Sequence, residues 1–132
     1  MHQRPQAVQQ PRMSPEEAAQ WLREKTIAEA NALLLADAVY KIVFYNSQHS
    51  NRSSECQIDP FQVFDSASPE AIEDWIERTK RLLASNYTVG DAIVDKSDRA
   101  NSLEAQYIAS NPGFSAKTYE HAVWVGIGKA VH

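Results

Sequence analysis

The residues of this chain with the most chemical potential sit in an unusual place. Asp37 and Lys41 lie four residues apart inside Ala30 to Tyr45, a stretch that is otherwise almost wholly apolar. An acid and a base at that spacing face the same side of a helix, and on a surface helix they form an ordinary ion pair. Inside an apolar helix the same pair reads differently, because an ionised group removed from water needs a partner or a purpose. The functional reading is a ligand site made by Asp37 and Lys41 with the neighbouring tyrosines Tyr40 and Tyr45.

Two further pairs bear on catalysis. Glu120 and His121 are adjacent, so on a regular helix they point about 100° apart and cannot jointly grip one ion. Cys56 lies seven residues after His49 in a polar stretch, and Glu55 beside it disfavours the thiolate a nucleophile requires. No Glu-x-x-His di-iron motif, HExxH zinc motif or glycine-rich phosphate loop occurs. These patterns predict no catalytic residue, no metal ligand and no cofactor.

Charge narrows the partners. The formal net charge is −4 and the sequence pI is near 5.5, which disfavours nonspecific attraction to nucleic acid or to an anionic membrane. The basic residues Arg78, Lys80, Arg81, Lys96 and Arg99 are interleaved with acids and carry no nucleic-acid-binding signature. Glu70, Glu73, Asp74 and Glu77 form an acidic face whose simplest reading is the solvated, dipole-favoured start of a helix, and whose functional reading is a surface for a protein partner. No apolar run approaches the roughly 18 residues of a membrane span. One cysteine excludes an intramolecular disulfide. With no apolar leader at the N-terminus, a cytoplasmic location is the expectation.

The elements that must position these residues read as helices. Residues 1–13 are Gln-, Pro- and Arg-rich and are expected to be a disordered tail, with Met13 a candidate start. Ser14-Pro15-Glu16-Glu17 is a capping box with proline at the first helical position. A helix from about 15 to 46 would be roughly 45 Å long, so a kink near Thr26 to Asn31 is allowed for. Its second half is apolar nearly all round, which marks a central, buried helix. Residues 46–68 form a long connection with a mobile first half and a second half latched by Phe61 and Phe64, both candidate contacts for a partner.

Ser68-Pro69 starts the next helix, with Ile72, Trp75, Ile76, Leu82 and Leu83 on one stripe and the pairs Asp74–Arg78 and Glu77–Arg81 on the other. A short helix through Ala92 to Val94, a solvated turn at Asp95 to Arg99 and two helical turns from Leu103 to Ser110 follow, ended by Asn111-Pro112-Gly113. Ser115 caps a last helix. The strand alternative for Ala122 to Ile127 is outweighed by helical spacing on both sides. Ala122, Gly126 and Ala130 form a ridge of small residues expected to pack on the central helix.

The expected architecture is therefore all-α: residues 14–132 as one domain, a three- to five-helix bundle with a long central N-terminal helix and a closing C-terminal one. By elimination, the favoured function is non-enzymatic: an acidic helical protein acting through protein–protein contacts as an accessory, regulatory or inhibitor-type partner, with a homodimer as one form. The alternatives are a small-molecule-binding bundle using the polar pair in its core, and an enzyme with an unrecognised site.

Overall fold

The computed structural model describes residues 12–50 and 56–132. Nearly all of the expected tail, and residues 51–55 of the expected mobile first half of the 46–68 connection, lie outside the described residues. Every element described is helical: α1 (Pro15–Asn31), α2 (Leu35–Gln48), the single turn α3 (Pro60–Val63), α4 (Pro69–Ala84), α5 (Tyr87–Val94), α6 (Ala100–Ser110) and α7 (Ala116–Val131). Ala122 to Ile127 lies within α7 and is helix, not strand.

Helix starts follow the caps written in the sequence. The hydroxyls of Ser14, Ser68 and Ser115 accept hydrogen bonds from the backbone N–H groups of Glu17, Ala71 and Thr118, satisfying donors that a helix N-terminus otherwise leaves open.

The long helix expected over 15–46 is in fact two helices. α1 ends in a turn at Ala32, and Leu34 adopts an extended backbone before α2 begins. The break falls just beyond the Thr26 to Asn31 window. A straight rod cannot bury both of its halves, whereas the break lets α1 pack on α2. It leaves Leu33 46% and Leu34 80% exposed, although both belong to the stretch that reads as wholly buried.

α2 contributes residues to both core clusters. Ala38, Val39, Ile42 and Tyr45 pack with Ala30, Ile58, Phe64 and Ile72 in one core cluster, while Tyr40 packs with Leu82, Val89, Tyr107, Tyr119, Ala122 and Val123 in a second. The described ends of the 46–68 connection are held by specific contacts. Residues 46–48 continue α2. The Asn46 side chain then brackets Ile58, donating to its carbonyl and accepting from its N–H, both at 2.8 Å. Phe64 is buried in the core and Phe61 is exposed.

The small-residue ridge of α7 does not pack on α2. Its partner is α5, the most extensive helix–helix contact of the fold. A Cβ on Gly90 would sit 2.2 Å from the Gly126 carbonyl carbon, and one on Gly126 would sit 2.3 Å from the Asn86 carbonyl oxygen. Glycine at both positions lets the two backbones touch. The buried Asn86 side chain locks this contact, donating to the Ala122 carbonyl at 2.8 Å and accepting from Lys129 Nζ at 2.7 Å. At the other end of α7, Gly113 has φ +104° and lies against the Trp75 ring, where a side chain would have no room.

Candidate functional site

With α5 holding one side of α7, the opposite side of α7 faces α2 across a cleft of about 290 Å³. Leu33, Asp37, Tyr40, Lys41 and Phe44 line it from the α1–α2 turn and α2, and Ser115, Lys117, Thr118 and His121 from α7. On each helix these positions recur at three- and four-residue intervals, so one face of each is presented to the cleft.

Asp37 is 7% exposed, and its partner is not Lys41. Oδ1 accepts from the Thr118 hydroxyl at 2.7 Å and from the Ser115 N–H at 2.9 Å. The carboxylate is thus fixed at the start of α7, where the helix dipole also favours negative charge. Oδ2 has no hydrogen-bond donor among the described residues and is not sealed off from solvent. Asp37 is therefore both an anchor for α7 and an open acceptor in the cleft wall.

Lys41 turns the other way. Its ammonium is 2.8 Å from Glu29 Oε2 of α1, and this contact with Lys41 holds the Glu29 carboxyl below its ordinary range. The expected Asp37–Lys41 pair is not formed because each residue finds a better partner on another helix. Lys117, on the first turn of α7, makes no ion pair among the described residues, so it is the uncompensated cation of the lining.

The far end of the cleft is aromatic. Tyr40 stacks in parallel on Phe44, with centroids 6.3 Å apart, and His121 meets both rings edge-on at 5.6 and 4.7 Å. Tyr40 Oη lies 2.7 Å from His121 Nδ1. Burial pushes the Tyr40 phenol well above its usual pKa, so it keeps its proton at neutral pH. Burial, with a smaller contribution from the Lys41 charge, lowers the pKa of His121 and favours the neutral ring. A protonated phenol and a neutral imidazole share this hydrogen bond, with its direction set by the imidazole tautomer. Trp124 continues this wall outward, 5.7 Å from His121 and 66% exposed.

Of the four residues expected to bind a ligand, Asp37, Tyr40 and Lys41 meet in this cleft. Tyr45 does not: it points into the other core cluster, donates to the Cys56 carbonyl at 3.0 Å and stacks on His49. His49 Nδ1 donates in turn to the Tyr45 carbonyl at 2.8 Å. Sequence reasoning missed the α7 half of the site. His121 was visible as a titratable residue, but its partner is Tyr40, not the exposed Glu120.

Of the two phenylalanines expected to contact a partner, Phe64 is committed to the core and Phe61 is exposed. Glu70, Glu73 and Glu77 are exposed on α4, Asp74 pairs with Arg78 at 3.0 Å, and Glu77 pairs with Lys80 rather than Arg81. Among the described residues no group of three or more His, Cys, Asp or Glu side chains is arranged to hold a metal ion, and no helix is long and apolar enough to cross a membrane. Comparison with known protein families, curated proteins and solved structures finds no match to this chain.

Proposed function

We propose that the protein binds a small organic molecule in the cleft between α2 and α7. The observation that carries this reading is the open oxygen of Asp37, a buried carboxylate beside an aromatic-walled cleft. A few convergent polar groups set in an apolar wall are the usual chemistry of a small-molecule site, and the volume falls at the small end of such sites. The reading keeps Asp37 and Tyr40 of α2, but replaces Lys41 with α7 as the second half of the site.

The test is a thermal-shift screen of small polar-headed compounds against the wild type and a Leu33→Trp variant, which places a bulky ring at the mouth. A ligand at 100 times its Kd stabilises the folded state by about 2.7 kcal/mol. That is a shift of several degrees for a domain of this size. A screen with no hit, or hits unaffected by Leu33→Trp, overturns the reading.

A second reading is favoured by the apolar surface beside the cleft. Leu33 and Leu34 are exposed at the α1–α2 turn, and Trp124 is exposed beyond His121. Exposed apolar side chains near one opening suit a protein partner, including a second copy of the chain. Sedimentation across a concentration series, compared with Leu34→Asp and Trp124→Glu variants, tests self-association. A monomer throughout removes the homodimer.

A further inference from the structure

The cleft has two chemically distinct ends, and their order restricts what fits. Asp37, Ser115, Lys117 and Thr118 gather at the first turn of α7. One helical turn further along, Tyr40, Phe44 and His121 form the aromatic end. A ligand that covers Asp37 Oδ2 without supplying a donor strands a desolvated anionic oxygen, which is costly. The head of the ligand must therefore donate a hydrogen bond. Lys117 is exposed and lines the cleft from the first turn of α7, the turn whose Ser115 N–H and Thr118 hydroxyl hold Asp37, so a ligand head at the open carboxylate oxygen lies within reach of its flexible ammonium.

A purely cationic head would satisfy Asp37 but face Lys117. A purely anionic head would satisfy Lys117 but leave Oδ2 stranded. A head carrying both signs close together answers both groups. The body behind it meets the faces and edges of Phe44, Tyr40 and His121, which favour a flat apolar or aromatic group.

Resting on the small-molecule reading above, we infer that the ligand is a zwitterion with an apolar body, of the α-amino-acid class. Its ammonium donates to Asp37 Oδ2, its carboxylate faces Lys117, and its side chain lies along the aromatic end. His121, neutral and with its Nδ1 engaged by Tyr40, contributes ring surface rather than charge.

Three probes with the same body separate the possibilities: L-phenylalanine carries both charges, 2-phenylethylamine only the ammonium and 3-phenylpropionate only the carboxylate. Titration calorimetry of each against the full chain gives their relative Kd values. The zwitterion is expected to bind about tenfold or more tighter than either single-charge analogue, the scale of one hydrogen bond to a charged group. A Lys117→Glu variant should reverse part of this order, weakening the zwitterion and 3-phenylpropionate and favouring 2-phenylethylamine. An acid on the first turn of α7 suits the helix dipole, so this variant is expected to fold.

A single-charge analogue that binds as tightly as the zwitterion overturns the inference and leaves the small-molecule reading standing. So does a ranking unchanged by Lys117→Glu. If none of the three binds while the compound screen still yields hits blocked by Leu33→Trp, the ligand class is wrong and the cleft is right. If the screen is also empty, both fall.

Discussion

The two glycine contacts between α5 and α7 set up a test of opposite signs within one helix. Alanine at Gly126 would place its Cβ 2.3 Å from the Asn86 carbonyl oxygen, where ordinary contact begins at 3.4 Å. The obstacle is backbone, so α5 and α7 must separate by more than an ångström. Overpacking of this kind costs about 1–3 kcal/mol. The separation also strains the buried Asn86–Ala122 hydrogen bond of 2.8 Å, whose loss adds about 1 kcal/mol. Against this, replacing a helical glycine by alanine gains about 1 kcal/mol in propensity. The net loss for Gly126→Ala is therefore about 1–3 kcal/mol.

At Gly128, two residues on, an added Cβ meets nothing within 4 Å. Gly128→Ala should keep the propensity gain alone and stabilise the protein by up to about 1 kcal/mol. Urea denaturation followed by far-UV circular dichroism gives both values from the shift in midpoint at constant slope. Equal stabilisation by the two substitutions would mean that propensity, not helix approach, governs α7. A Gly126→Ala protein as stable as the wild type would refute the packing argument altogether.

Other expectations follow from the site. Asp37→Ala removes the acceptor shared by Thr118 and Ser115 and should cost about 3 kcal/mol or more, since both bonds are to a charged group; Asp37→Asn keeps an acceptor and should cost less, and equal losses by urea denaturation would show that the carboxylate is not the anchor. The lowered pKa of His121 means that the folded state resists its protonation. Its contribution is present above the unfolded value of 6.5 and is lost as pH falls below that value and through the depressed folded pKa. Thermal unfolding between pH 7.5 and 5 should therefore show a stability loss that His121→Gln reduces, and identical profiles would refute it. Thr79 is fully buried, and its hydroxyl is the buried side-chain polar atom without a partner among the described residues. Thr79→Val should stabilise by about 1 kcal/mol, and a measured loss would show that the hydroxyl has a partner in solution.

What could be read in the sequence was local. Ser14, Ser68 and Ser115 announce their helices because a cap bonds to a donor only three residues away. Trp75 and its stripe on α4 follow from helical spacing alone. The break at Ala32 to Leu34 was hidden because three consecutive leucines favour helix, and only the gain from folding α1 against α2 overrides that preference. The site was half legible for the same reason. Asp37 drew attention by being charged in an apolar run, but its partners lie 78 and 81 residues away, and no spacing rule reaches that far. Lys41 at four residues was the plausible partner, and Glu29 on the preceding helix took it.

The two oxygens of Asp37 set limits on how this site can change over time. One holds α7 in place and the other faces the cleft, so a substitution that alters what the carboxylate recognises also loosens the helix that forms the opposite wall. On the proposed small-molecule reading, selection for a new ligand cannot easily work through this residue. Lys117 and Leu33 carry no such double duty in the described contacts, whereas Phe44 packs on the core. On the same small-molecule reading, drift in ligand preference among descendants of this chain should accumulate at Lys117 and Leu33, around an aspartate that stays.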